Sequence, residues 1–523
     1  MRSNKYEEDF FNKLWSNSKV GATIGTIHYY SMKSNFKRYV ALNPNDHLTG
    51  TDDNLAKIFI NMEYENLHYN QDSKIIYIYT NNKWILDHKP YLKLKKTIRE
   101  KLKLYVKEEI FKLLGNEITE NIAKDLEVKR KILQKVESKK TNDNVCSFVI
   151  EELASLDKEE VFDTGREQYY NLHFQNGVYN IKDKKFRKRT KDDKITKILN
   201  WDYLENVPQS KIDNVNLFFK KLHADEEQRK FSLSWLAYCL TGNTGLQKFK
   251  MNIGYSSNNG KSTEFNIHST VFPIYSKKLD NRTFSIAYES KRHKQLLPLI
   301  REPIRFLYSE ELDQIKIDAA LLKEVVEGSD LTVEVLYGLT ETSQIQCKLN
   351  TCSNKDFNIE MDNGVLRRGL VQLYSSTFKY DIKDDWDKRE LLRMDNWYLI
   401  FEDEEYKNAY LHILLSHFSL NNFIPKKNEE QFKNIAEEYD EFGNIFEELF
   451  ELTKDPRDFI YKNEVLNNMN LRDKKITLRQ IRNEFKKKSI KYDRKKMVKS
   501  KQGFFIGIKL KEIEDEDETD DEE

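Results

Sequence analysis

The stretch Met251–Thr263, MNIGYSSNNGKST, decides how this chain is read. It continues the apolar run Phe249–Ile253 and closes on Asn259-Gly260-Lys261-Ser262-Thr263. A buried strand, a tight turn and a helix start, in that order, build a phosphate cradle. The turn's N–H groups point at an anion, the lysine reaches the outer phosphates, and the following hydroxyl can ligate magnesium. The usual spacing is G-x-x-x-x-G-K-[ST]. Counting back from Gly260 puts Tyr255 where the first glycine belongs, with Gly254 one residue early. Ser256, Ser257, Asn258 and Asn259 tolerate tight turns, so a cradle is still expected. The bland alternative is a polar strand-to-helix turn.

Residues downstream of the loop separate these readings. Nucleotide hydrolysis needs carboxylates on a neighbouring strand, a polar sensor near the outer phosphate and a cation for the transition state. Pro303–Glu311, PIRFLYSEE, is an apolar strand ending in two acids, 49 residues after Lys261. Glu310 is expected to hold magnesium and Glu311 to orient water. Asp318 can cap a short helix that Gly328 ends. Leu331–Leu336 and Gln344–Cys352 read as strands about a turn containing Gly338. Asn354 then suits a sensor, because an amide both donates and accepts. Asn363-Gly-Val-Leu-Arg-Arg368 places Arg367 and Arg368 after a turn, where a guanidinium can reach a neighbouring subunit. Each signal alone is as easily an acidic strand end, a turn asparagine or surface arginines.

Length bounds the rest: 523 residues exceed one core, and three or four domains are expected. A 39% hydrophobic and 12% aromatic content argues against general disorder. No apolar run is long enough to span a bilayer, and MRSNKYEEDFF lacks a signal-peptide core. The scattered cysteines (Cys146, Cys239, Cys347, Cys352) read as reduced thiols of an intracellular protein. His412 and His417 read as packed rather than ligating. The net charge of +1 hides an asymmetry: Glu512–Glu523 holds ten acids and no base, while Lys454–Lys511 holds 19 Lys/Arg against 6 Asp/Glu. A basic module beside an acidic tail suits nucleic-acid contact.

Along the chain, residues 1–150 read as a helix-rich region, with a short amphipathic helix at Phe10–Trp15 and a hairpin turn at Thr80–Lys83. One helix carries Leu94, Ile98, Leu102 and Tyr105 and ends at Gly115; the next carries Ile118, Ile122 and Leu126. Lys139–Asp143 reads as a linker. Residues 151–245 form a second region, where Leu172–Tyr179 alternates about an Asn-Gly turn. Helices are expected near Asp213–His223 and Glu226–Leu240, with Gly242 as the C-cap. Residues 246–400 read as an α/β P-loop ATPase, 401–453 as a helical extension, 454–511 as a basic winged-helix-like module and 512–523 as an acidic tail. In that module Thr477–Lys488 would be the second helix and Met497–Ile508 a wing with a basic tip.

The ordered set NNGKST, FLYSEE, LLKEVVEGSDLTVEVLY, KLNTCSN and NGVLRRG resembles the superfamily 3 helicases. It looks most like the helicase part of poxvirus-type primase-helicases of nucleocytoplasmic large DNA viruses, with relatives among phage and plasmid primases. LHFQNGVYNIKDKKFRKRTKDDKITK and YIYTNNKWILD resemble the region that precedes the motor there, so the likeness runs from about Asn66 to Phe378. The resemblance implies an AAA+-like P-loop motor, α/β in class, that forms a hexameric ring on DNA and uses ATP and Mg2+. Carried over, Asn259, Gly260, Lys261, Ser262 and Thr263 bind nucleotide, Ser262 and Glu310 the metal, and Glu311 and Asn354 act in hydrolysis. Arg367 or Arg368 is the finger acting in trans, with Arg368 slightly preferred. The segment from Lys323 to Leu336 is the motif whose hairpin touches DNA, although Glu334 stands where a base is usual. Lys495, Lys496, Lys499 and Lys501 are further DNA-contact candidates.

The expectation is an ATP-dependent DNA helicase of replication, intracellular and, if viral, in the host cytoplasm or at a viral replication site. A separate primase is expected, since no strand-borne Asp-x-Asp pair precedes the motor. Tyr255 and Glu334 keep a non-motor nucleic-acid-binding scaffold open as the alternative, and an RNA-directed motor is a third.

Overall fold

A computed structural model describes residues 48–115, 119–155, 160–254, 258–311, 316–335, 339–353, 358–359, 362–393, 397–419, 424–438, 441–470, 477–488 and 490–511. Phe10–Trp15, Ile118, Tyr255–Ser257, the Leu336–Gly338 turn, Asn354 and the acidic tail lie outside the described residues. The chain divides into two compact units, Met1–Tyr203 and Leu204–Glu523. The division falls inside the segment read as 151–245.

In the first unit, an antiparallel meander of Leu67–Asn70, Ile75–Thr80 and Lys83–His88 packs with helices Asp52–Glu63, Leu92–Leu114, Glu120–Glu137 and Lys139–Ser155. The Thr80–Lys83 turn forms as expected, with Asn81 and Asn82 at φ 49° and 58°. Such a mirror-image turn matches the twist of its strands, and asparagine tolerates it. Leu94, Ile98 and Leu102 line the buried stripe, and Gly115 caps the helix. A smaller sheet, Asn171–His173, Val178–Asn180 and Lys185–Arg187, comes next in the chain. Lys139–Asp143 is not a linker: it is the first turn of the helix Lys139–Ser155. Its composition looked solvated, yet Asn142 is buried and donates to the Lys95 carbonyl at 3.0 Å. The apolar series Val145, Val149, Leu153 then carries the helix.

The second unit is built on five parallel strands: β1 (Phe249–Ile253), β2 (Ser276–Lys278), β3 (Phe306–Glu310), β4 (Lys348–Ser353) and β5 (Gly369–Leu373). Their order is β5-β1-β4-β3-β2. Parallel strands need crossover connections, so both faces are covered and every β1 residue is buried. Helices α1 (Gln209–Leu222), α2 (Glu226–Tyr238), α3 (Lys261–Val271), α4 (His293–Arg301), α5 (Ala319–Glu327), α6 (Asn363–Arg368), α7 (Glu404–His417) and α8 (Lys426–Glu438) complete this part. Asp318 caps α5 through the N–H groups of Ala320 and Leu321, and Gly328 ends it, as the sequence indicated. Helix α2 is capped by Cys239 rather than Gly242: beyond it the N–H groups of Leu240 and Thr241 bond three residues back, to the Ala237 and Tyr238 carbonyls at 3.1 and 3.0 Å, which tightens the chain out of the α-helix.

The strands after α5 differ from expectation. Asp330–Val335 pairs with Leu339–Gln344 as an antiparallel hairpin, and Lys348–Ser353 is a separate strand in the central sheet. Ile345, Gln346 and Cys347, all buried, turn the chain from one sheet to the other, so sequence alternation ran the two strands together. Residues 385–450 also read as helical in the sequence, but Glu390–Leu392 is a strand that pairs in parallel with Thr377–Lys379.

Strand β1 has two different faces. Phe249, Met251 and Ile253 join the apolar cluster with Leu321, Val325 and Phe432. Lys250 and Asn252 point to the opposite face and are fully buried. There the Glu264 carboxylate of α3 lies 3.4 Å from Lys250 Nζ and accepts from Tyr374 Oη at 2.8 Å and Ser232 Oγ at 3.2 Å, with His223 Nε2 at 3.3 Å. Burial alone would raise the Glu264 pKa; Lys250, His223 and Tyr374 outweigh it and hold the carboxyl well below its usual range. A depressed carboxyl contributes stability that is complete above its unfolded pKa and is lost as pH falls through the folded value. Lys250→Met strands that carboxylate and is expected to cost about 3–5 kcal/mol in urea unfolding, while Lys250→Met with Glu264→Gln recovers most of the loss. The double variant should also lose less stability than the wild type between about pH 5 and pH 3.

Candidate functional site

Open α/β sheets bind ligands outside the carboxyl ends of their strands, where the strand order reverses. Here the reversal lies between β1, whose chain continues to β2 at one edge, and β4, whose chain continues to β5 on the other side. Register brings three strand ends level: Cys352 of β4 pairs with Asn252 of β1 and with Glu310 of β3. The Gly254 N–H extends this ladder to the Ser353 carbonyl at 3.3 Å, and the Glu311 N–H reaches the Cys352 carbonyl at 2.9 Å.

The loop's two ends are tied to each other. Lys261 Nζ, buried, donates to the Gly254 carbonyl at 3.2 Å and to Asn259 Oδ1 at 3.0 Å. A Cβ on Gly254 would lie 1.8 Å from Asn259 Nδ2 and 2.9 Å from Lys261 Nζ. The early glycine is therefore required by close approach. Gly260, at φ +85°, turns the chain into α3, and a Cβ there would meet Leu222 Cδ2 at 2.4 Å. Ser262 is exposed in the first turn of α3, and Thr263 is half-buried. The helix N-terminus adds its unpaired N–H groups and positive dipole end.

On β3, Glu310 is half-buried and forms an ion pair with Lys278 of β2. Glu311 sits at φ 58°, its carbonyl accepting from Asn281 Nδ2 at 3.2 Å. Adjacent strand residues face opposite ways; this left-handed step ends the alternation immediately after Glu310. Burial pushes the Cys352 thiol well up, the Glu310 carboxylate adds to that and the Lys261 ammonium opposes it. One buried group thus feels both charged ends of the site. Hard oxygen donors, Ser262 Oγ and the Glu310 carboxylate, beside a buried ammonium and a helix N-terminus fit a magnesium nucleotide.

Other sequence candidates separate. Arg367 is exposed and donates to Gln247 Oε1 at 2.9 Å. Arg368, preferred from sequence, is only 5% exposed; it pairs with Glu327 of α5 and donates to the Gly364 carbonyl at 2.7 Å. Lys323 forms a 2.6 Å ion pair with Asp362, which also caps α6. The described residues of the hairpin 330–344 contain no Lys or Arg, and Glu334 is exposed there. Lys495, Lys499 and Lys501 are exposed and Lys496 half-buried on a hairpin of Lys491–Val498 and Lys501–Ile506, which begins six residues before the expected wing.

Sequence reasoning missed Lys250, Glu264, His223, Tyr374 and Lys278. Glu264 is a first-turn acid of α3, a common helix feature, and nothing local distinguishes it. Lys250 left one trace, a cation inside a run that is otherwise strand-like. Among the described residues no group of three His, Cys, Asp or Glu side chains is arranged to hold a metal, and no helix is long and apolar enough to cross a membrane.

Residues 56–231 match the family described as D5 N terminal like. The Putative helicase L207/L206 of Acanthamoeba polyphaga mimivirus is 24% identical over 439 residues, covering 79% of this chain and 45% of the relative. The chain thus spans less than half the length of that relative. Two apo structures of the NrS-1 C terminal region align at 10% and 11% identity, covering 87% and 85% of this chain and 99% and 96% of theirs, with TM-scores of 0.43 and 0.42. The chain is thus similar to a viral protein described as a putative helicase.

Gly254→Ala drives Asn259 and Lys261 apart without removing a polar group. Titration with a fluorescent ATP analogue should show affinity lowered about tenfold or more, with the thermal midpoint nearly unchanged.

Proposed function

We propose that this chain is an ATP-dependent DNA helicase of replication, hydrolysing ATP between copies in a ring, most simply a homo-hexamer. The observation that carries the reading is the shared level of three strand ends, with Asn252 of β1 and Glu310 of β3 paired on either side of Cys352. The motif order, the family match over 56–231 and the mimivirus relative support it.

In this reading the loop N–H groups and Lys261 grip the phosphates, exchanging the bonds Lys261 now makes to Gly254 and Asn259 for bonds to anionic oxygens. Ser262 and Glu310 hold magnesium, which bridges the outer phosphates and offsets developing charge. Lys278 must release Glu310 for this. Glu311 orients the attacking water, and Asn354 is retained as the sensor. The trans-acting cation is Arg367 rather than Arg368: Arg368 is committed to Glu327, and extracting it would strand a carboxylate. The site of action in this reading is intracellular, at a viral replication site.

Lys261→Ala is expected to lower DNA-stimulated ATP turnover by about two orders of magnitude or more, with unwinding of a forked duplex lost and the circular dichroism spectrum kept. ATPase equal to wild type in that variant removes the motor reading. Binding of DNA by the unmodified chain without any turnover supports the non-motor scaffold instead.

Arg367→Ala should cost about 10³-fold in turnover while nucleotide affinity holds. Mixing it with Glu311→Gln chains should restore part of the activity, since each variant supplies what the other lacks at a shared interface. Arg368→Ala should instead lower the thermal midpoint.

A further inference from the structure

We propose that the outer face of the three-stranded sheet in residues 441–511 binds single-stranded DNA by stacking bases on Phe459, Tyr461 and Met497. The choice of DNA rests on the replication reading above, while the surface itself rests on the geometry of the sheet.

The strands run in the order Phe459–Tyr461, Lys501–Ile506, Lys491–Val498. Directly opposed residues share a face. Ile460 opposes Phe505, and both join the core with Val465, Met469, Ile481 and Phe485 of the helices Lys462–Asn470 and Leu478–Lys487. Phe459 opposes Ile506 and Tyr461 opposes Phe504, so these four lie on the other face. Phe504 is the buried floor there, with the rings of Phe459 and Tyr461 each 5.5 Å from it, and both outer rings are half-buried. Met497 opposes Gln502, two residues before Phe504, so it continues the same face; it is 67% exposed. An apolar residue that open near a hairpin tip gains nothing from the fold.

Cations stand over this floor. Lys496 Nζ lies 3.5 Å from the Phe459 ring centroid and Lys501 Nζ 5.2 Å from that of Tyr461. Between the pairs Asp493↔Phe504 and Met497↔Gln502 the hairpin shifts register, so Arg494, Lys495 and Lys496 face Gly503 alone. Asp493 Oδ1 fixes this basic bulge by accepting from the N–H groups of Lys495 and Lys496 at 2.9 and 3.0 Å. Lys499 and Ser500, at φ 44° and 65°, close the tip as a two-residue turn.

Half-exposed rings and an exposed thioether flanked by cations suit a strand whose bases are free. Every base has a π-face, and phosphates spaced along the strand meet the bulge. A duplex offers the phosphates but keeps its bases stacked, and an acidic protein surface offers charge with nothing to stack.

The test uses the full chain and a fluorescently labelled oligo-dT strand, with anisotropy read without nucleotide over a salt series. Phe459→Leu and Tyr461→Leu should each weaken strand binding at least about fivefold and leave duplex binding unchanged. Tyr461→Phe should bind as wild type, which separates lost stacking from a damaged sheet. Lys495→Ala with Lys499→Ala should weaken strand and duplex together and lower the salt slope by about one per cation removed. Unchanged strand binding in both leucine variants, or equal loss for duplex, overturns the proposal. Tighter binding of oligo-rU than of oligo-dT overturns its assignment to DNA. Lys261→Ala should bind the strand as wild type, so failure of the motor reading leaves this test intact.

Discussion

The Glu264 carboxylate is the interaction on which the second unit depends. It sits fully buried in the first turn of α3, directly beneath the loop that the helix opens. Its partners come from every side: Lys250 from β1, His223 from the end of α1, Ser232 from α2 and Tyr374 from the residue after β5. A buried charge is tolerable only when paired and hydrogen-bonded, and this one is. Lys250 in turn contacts Gln372 of β5, whose amide donates to the Gln228 carbonyl of α2 at 2.9 Å. A shift of any one element would leave a polar group unsatisfied, so the network holds β1, β5 and three helices in one arrangement.

That rigidity matters because the site above is an edge assembled from separate strand ends. Lys261 comes from the helix after β1, Glu310 from β3 and the ladder between them from β4. These three segments are far apart in sequence. In the proposed reading the loop is a phosphate cradle acting through fixed dipoles, and dipoles fixed in advance need no reorganisation when charge develops. The same economy explains Gly254 and Gly260. The first lets Lys261 and Asn259 close against the backbone, and the second turns the chain into α3 against Leu222.

Much of this was legible in the chain. The Asn-Gly-Lys-Ser-Thr end of the loop, the Asp318 cap, the Gly328 stop and the asparagine turn at residues 81–82 arise from local chemistry, and they occur as read. Failures came where burial overrode composition. Lys139–Asp143 looked solvated but starts a helix, because Asn142 found a buried backbone partner. A single strand was read at 344–352, where the hairpin strand 339–344 ends and a separate sheet strand 348–353 begins after three buried linking residues. Arg368 and Lys323 looked like free cations, but the fold commits them to Glu327 and Asp362. Sequence spacing reports what a side chain can do, while a salt bridge 39 or 41 residues away decides whether it is free to do it.

By itself the sequence determined the local grammar: a loop that can cradle an anion, acids at a strand end, a basic module beside an acidic tail. Those depend on residue type and on neighbours a few positions away, which the chain fixes before it folds. Only the tertiary structure decided that β1, β4 and β3 end at one level, that Lys250 and Glu264 neutralise each other underneath, and that Arg367 rather than Arg368 faces outward. Strand order, register and burial are relations between distant segments, set by which faces find one another when water is excluded.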